Sequence, residues 1–203
     1  DLDGWELKAH TVRSISNRPT SSAITLMTPD PDGGMHVDPK HGLLPFMLAF
    51  GHSNEFGRWD FTGRRSVLHG LELHGYRSPT DFDADGCIAF VHEGIVGATW
   101  SFTKILDHWK RKHSSTCFVG AEVNKEPGEA RFSNQVELGE GTSFQKFLEG
   151  VDSGIIYYDP GINIKLQRET GRWKPKKRNQ FRAAGNKLSG LYASFSTVDL
   201  AAV

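Results

Sequence analysis

Three residues at the start of the chain have the types and spacing of a hydrolytic centre. Asp1, Glu6 and Lys8 form D-x4-E-x-K. Two carboxylates and one lysine meeting at a strand end are what metal-assisted phosphodiester hydrolysis needs. Carboxylates are hard oxygen ligands for Mg²⁺, which takes one or two of them and keeps several waters. The metal polarises a phosphoryl oxygen and activates a water. In this reading Asp1 and Glu6 hold the metal, with the Leu7 carbonyl as a further ligand. Lys8 orients or deprotonates the attacking water. E-x-K alone is weak, because Glu and Lys alternate on many solvent-facing strands; the motif argues only in company.

The segment that must position these residues alternates cleanly. Trp5, Leu7 and Ala9 fall on one face, and Glu6, Lys8 and His10 on the other. Period two marks a half-buried strand, with Glu6 and Lys8 about 6.7 Å apart along it. Asp1 converges from a turn before the strand. Ala23 to Thr28 reads as a second strand, stopped by the turn cluster Pro29-Asp30-Pro31-Asp32-Gly33-Gly34. Gly42 to Phe50 reads as a short helix and Cys87 to Thr99 as a hairpin turning near Glu93-Gly94. Phe102, Ile105, Leu106 and Trp109 predict a helix capped by Ser101. Its last turn holds Lys110, Arg111, Lys112 and His113, where the dipole favours cations. Thr116 to Val123 reads as a buried strand, Phe144 to Val151 as a helix capped near Thr142, and Gly154 to Tyr158 as another strand. The mixture, without regular βαβ alternation, predicts an α/β fold with a mixed central sheet flanked by helices.

Charge is unevenly spread. The chain has 203 residues with 24 basic and 24 acidic side chains, so it is neutral overall. Yet Lys165 to Lys187 holds nine bases against the single acid Glu169, which leaves +8 there. Lys165, Arg168, Arg172, Lys174, Lys176 and Lys177 suit phosphates. Arg178, Asn179, Gln180 and Arg182 add groups able to bond base edges. A polyanion suits this chemistry better than a membrane does. Asp159, in the turn Asp159-Pro160-Gly161, could accept from a cytosine amino group. The alternative is an inert solvated basic surface.

Other classes are excluded or weakened. The aromatic content of 11 % and balanced charge exclude a disordered chain. No apolar run is long enough to span a membrane. Cys87 and Cys117 are too few for a disulfide framework and form no zinc motif, which points to a reducing, cytoplasmic compartment. The histidine pairs 36/41, 69/74 and 108/113 lack zinc companions; His108 and His113 read as helix-end charges.

DLDGWELK, followed by SSAITLMTPDPDG and later by GIIYYDPGI with KKRNQFR, resembles the MvaI/BcnI family of type II restriction endonucleases, within the PD-(D/E)XK superfamily. The resemblance runs from Asp1 to about Arg182. It implies Mg²⁺-dependent cleavage of double-stranded DNA at a short site, with Asp1, Glu6 and Lys8 as catalytic residues. It also implies a monomer that nicks the two strands in turn, with one lobe for catalysis (mainly 1–125) and one for recognition (mainly 126–203). The family carries a helical segment before the catalytic Asp, so a longer protein extending before Asp1 is expected. MutH-type repair nickases share the fold, with a longer Asp-to-Glu gap. A non-catalytic DNA-binding domain of the same fold and a plain interaction module are the competing classes.

Overall fold

A computed structural model describes residues 4–15, 21–54, 57–123, 129–167 and 169–202. Asp1 and Arg168 lie outside these described residues. The strands are β1 (Glu6–Thr11), β2 (Ala23–Met27), β3 (His52–Ser53), β4 (Arg58–Thr62), β5 (Leu71–Ser78), β6 (Asp81–His92) and β7 (Ile95–Ser101). Then come β8 (Ser115–Val123), β9 (Ala130–Glu140), β10 (Tyr157–Tyr158), β11 (Gly161–Leu166), β12 (Trp173–Lys176), β13 (Phe181–Ala184) and β14 (Ser194–Asp199). The helices are α1 (Leu44–Phe50), α2 (Phe102–His113) and α3 (Phe144–Asp152).

The helices form where apolar spacing and caps coincide. The Ser101 hydroxyl accepts from the Lys104 amide, and the Ser143 hydroxyl does the same for Lys146. The second cap is thus Ser143, one residue after the expected Thr142. Helix α2 buries Phe102, Ile105 and Trp109; α3 buries Phe144, Phe147, Leu148 and Val151.

The expected single central sheet is instead four small ones: β1-β8-β9-β14, β10-β13-β2, β12-β11-β4-β3 and β5-β6-β7. The first is mixed, with β1 parallel to β8 and the other two pairs antiparallel. Aromatic packing joins the sheets. Trp100 on β7 meets Tyr158 on β10 at 4.8 Å and Phe181 on β13 at 5.2 Å, edge to face. All three are fully buried, and burial of each such side chain contributes about 1.5–3 kcal/mol.

Strand β8 pairs with β9, β2 with β13 and β4 with β11, so backbone pairing crosses residue 125 in three sheets. The alternation of β1 is real, but its apolar face is the outer one. Leu7 is 54 % exposed, while Glu6, Lys8 and His10 turn to the half-buried side.

Candidate active site and nucleic-acid interface

Parallel pairing of β1 with β8 brings the site together. Glu6 lies opposite Thr116 and Lys8 opposite Phe118. Helix α2 ends just before β8 begins, so its last turn sits level with Glu6. Lys112 Nζ there donates to Glu6 Oε1 at 2.8 Å, and Lys8 Nζ stands 3.7 Å from the same oxygen. One carboxylate oxygen thus faces two ammonium groups.

Lys8 is held more firmly than Lys112. Its Nζ donates to the Leu26 carbonyl of β2 at 2.8 Å, and its side chain is 11 % exposed. Burial pushes the Lys8 pKa below that of a free lysine; Glu6 opposes this shift and Lys112 adds to it. A shift in that direction raises the fraction of the amine that is neutral at a given pH.

The same Leu26 carbonyl accepts a second bond, from His113 Nε2 at 3.0 Å. A carbonyl only accepts, so Nε2 carries the proton. Nδ1 is then the acceptor for the Tyr192 hydroxyl, 2.6 Å away. Burial, with Lys8 nearby, pushes the His113 pKa down to about 3, which keeps the ring neutral. The ring stacks on Trp109 at 3.9 Å. His113 is therefore a buried neutral hub and not the helix-end cation expected from its position. Tyr192 reaches it because its ring lies flat against Gly139, where a Cβ would sit 2.9 Å from ring carbons. No sequence signal marked Lys112, Tyr192 or Leu26; only the meeting of α2, β1 and β2 does.

Glu6, Lys8 and His10 line a cleft of about 580 Å³ with Ser22, Thr25 and Arg182. Arg182 donates to Asp159 at 2.6 Å and to the Ala23 carbonyl at 2.7 Å. The Asp159 carboxylate is thus engaged by Arg182, which stands in the wall of the Glu6 cleft. Asn179 is 2 % exposed; its Oδ1 accepts from the Tyr158 hydroxyl at 2.7 Å, and its Nδ2 donates to Asp30 at 2.8 Å. It is a core residue and does not face a base edge.

The remaining basic residues form a surface. Lys165, Arg172, Lys174, Lys176, Lys177 and Arg178 are exposed, and Gln180 is half-buried. Arg58, Lys165 and Lys174 lie opposite one another in register across β4, β11 and β12, and Asn163 faces Lys176 in the next row. Paired residues in antiparallel strands share a face, so three basic side chains form one row; Arg58 there is ion-paired with Asp60 at 2.9 Å, while Lys165 and Lys174 lie directly opposite each other. Like charges directly opposite are destabilising, and a bound polyanion relieves that repulsion. A groove of about 980 Å³ runs beside Asn163, Lys165, Lys174 and Lys176. Arg58 was not singled out in the sequence because it sits far from the basic segment.

Among the described residues no cluster of three or more His, Cys, Asp or Glu could hold a metal ion. His41, His69 and His74 bond instead to Asp38, Ser66 and Glu72. Both cysteines are free. No helix among the described residues is long and apolar enough to cross a membrane.

The profile of the MvaI/BcnI restriction endonuclease family matches residues 1–192. Among solved structures, restriction endonuclease MvaI bound to its cognate DNA substrate is similar, with a TM-score of 0.62 and 16 % identity. That match covers 97 % of this chain and 81 % of that one. MvaI in the absence of DNA matches with a TM-score of 0.55 and 17 % identity, covering 98 % and 80 %. At this identity the likeness is one of fold. A comparison with curated protein sequences gives no match.

Proposed function

The chain belongs to the MvaI/BcnI restriction endonuclease family, and from that premise we propose that the cleft around Glu6 and Lys8 is a Mg²⁺-dependent phosphodiesterase centre. Membership makes the protein a type II restriction-type DNA endonuclease, a hydrolase. The finer reading is a PD-(D/E)XK core acting as a monomer inside the cell, which cuts double-stranded DNA at a short site. Its products carry 5′-phosphate and 3′-hydroxyl ends.

The observation that carries this reading is the pairing of a half-buried carboxylate with an anchored lysine in one polar cleft. The donors fit Mg²⁺: Glu6 offers a hard carboxylate oxygen and Leu7 a backbone carbonyl, within the one or two protein carboxylates this ion uses. Asp1 is proposed as the second carboxylate. When bound, Mg²⁺ supplies Lewis acidity at the scissile phosphoryl group and acidifies water.

The protein's own groups do the rest. Lys8, fixed by Leu26, orients the attacking water or takes its proton. The net positive charge of Lys8, Lys112 and Glu6 together favours a phosphodiester in the cleft. The row Arg58, Lys165 and Lys174, with Lys176, grips backbone phosphates. Arg178 and Gln180 are the best-placed remaining candidates for base contact.

The test is incubation with supercoiled and linear plasmid, with Mg²⁺ or chelator, beside Lys8→Ala. Discrete Mg²⁺-dependent fragments, lost in the variant, are expected. Cleavage that survives chelation, or an unchanged Lys8→Ala, would refute the site. Nicking without double-strand breaks would instead place the enzyme with repair-type nickases.

A further inference from the structure

Lys8 and Lys112 contact the same oxygen of Glu6 but are held differently. The Lys8 ammonium is inside, 11 % exposed, with a second anchor in the Leu26 carbonyl. The Lys112 side chain is 46 % exposed and reaches Glu6 from solvent. Its backbone is fixed, since the Thr116 hydroxyl donates to the Lys112 carbonyl at 3.1 Å and the helix ends one residue later. Only the side chain can move without disturbing the fold. Its Nζ, 2.8 Å from Glu6 Oε1, is also closer than that of Lys8, at 3.7 Å.

A divalent cation that uses Glu6 meets two ammoniums already there. The three side chains together carry +1, so among them the site repels a cation until one lysine leaves. Lys8 is tied on two sides. Lys112, 46 % exposed against 11 % for Lys8, faces water and is rehydrated when it moves, so it gives up less than Lys8 would.

We propose that Lys112 is a positioning residue for Glu6 that occupies the metal-facing carboxylate oxygen and gives way when the divalent cation binds. The inference rests on the proposed metal role of Glu6. In the metal-free protein Lys112 holds the half-buried carboxylate in place and balances its charge. On loading, its ammonium turns out toward solvent. Lys112 therefore sets the metal concentration at which the site fills.

The experiment is titration of the whole protein, without DNA, with Mn²⁺ as probe, the free ion being read by electron paramagnetic resonance. Parent, Lys112→Met, Lys112→Arg and Lys110→Met are compared. Lys112→Met should bind Mn²⁺ about 1.5- to 5-fold more tightly, the range of one exposed ion pair. Lys112→Arg, which keeps the charge, should stay near the parent. Lys110→Met removes the same charge two residues away, on another face of α2, and should shift affinity less than Lys112→Met. Unchanged or weaker binding by Lys112→Met overturns the inference, and so does an equal gain in Lys110→Met. A parent that binds no Mn²⁺ overturns the metal role of Glu6 itself, and the inference with it.

Discussion

Replacing Lys8 by Met separates chemistry from stability. The substitution keeps an unbranched apolar stem of similar length and removes the ammonium. One charge-assisted hydrogen bond, to Leu26 at 2.8 Å, is lost; such bonds contribute about 1.5–3 kcal/mol. Against that, an ammonium only 11 % exposed no longer has to be buried, a penalty of several kcal/mol for an ion in a protein interior. Its repulsion with Lys112 disappears too. Neither partner is orphaned: Leu26 still accepts from His113, and Glu6 still pairs with Lys112. The terms offset, and Lys8→Met should unfold within about 1 kcal/mol of the parent, or about 2–4 °C in Tm for a chain of this size. Catalysis has no such compensation. Loss of a group that orients or deprotonates the water should lower the cleavage rate by about 10²–10⁴, equal to about 2.7–5.4 kcal/mol of barrier. Urea unfolding followed by tryptophan fluorescence gives the first number and single-turnover plasmid cleavage the second. A variant destabilised by more than about 3 kcal/mol, or one cleaving within tenfold of the parent, would refute the reasoning.

Three further outcomes are expected. Burial pushes the His113 pKa down to about 3 and that of His36 to about 4. The unfolded chain therefore binds protons the folded one refuses, and stability present above about pH 6.5 should fall by up to about 2.7 kcal/mol per pH unit toward pH 4; flat urea midpoints from pH 7 to 4.5 would contradict this. Asn179→Ala leaves the buried Tyr158 hydroxyl without its partner, while the exposed Asp30 can turn to water, so a loss of about 1–3 kcal/mol is expected in chemical denaturation; weakened DNA binding with unchanged stability would return Asn179 to a recognition role. Neutralising Lys174 and Lys176 should weaken binding to all sequences alike and flatten the salt dependence by about one unit per lost phosphate contact. A salt slope equal to the parent's would remove them from the interface.

The order of elements was legible where a local pattern and a local stop signal agree. The strand of Glu6 and Lys8, the strand after Ala23, the hairpin turning at Glu93-Gly94, and α2 with its Ser101 cap are all set by neighbours in the chain. Strands β9 and β14 were missed, because their polar-rich sequences become strands only by pairing with β8 and with each other. Apolar content alone predicts a strand over Gly154 to Tyr158, but only Tyr157–Tyr158 forms one. The β5-β6-β7 meander is local, but the other three sheets join strands too distant for any local signal.

The site divides in the same way. Residue types and spacing put Glu6 and Lys8 on one face of one strand, because side-chain alternation is a property of the backbone itself. Which face turns inward is a property of what packs against it, and here β2 and α2 claim the charged one. The parallel pairing with β8 brings Lys112 to Glu6, and β2 supplies the carbonyl that Lys8 and His113 share. The basic segment announced its charge, yet its members part company in three dimensions. Asn179 goes to the core with Tyr158, Arg182 goes to the cleft with Asp159, and Lys165 and Lys174 line up with Arg58 more than a hundred residues away. Net charge adds up along a chain without regard to fold. Whether a given charge meets a phosphate, a carboxylate or the interior depends on which strands lie side by side.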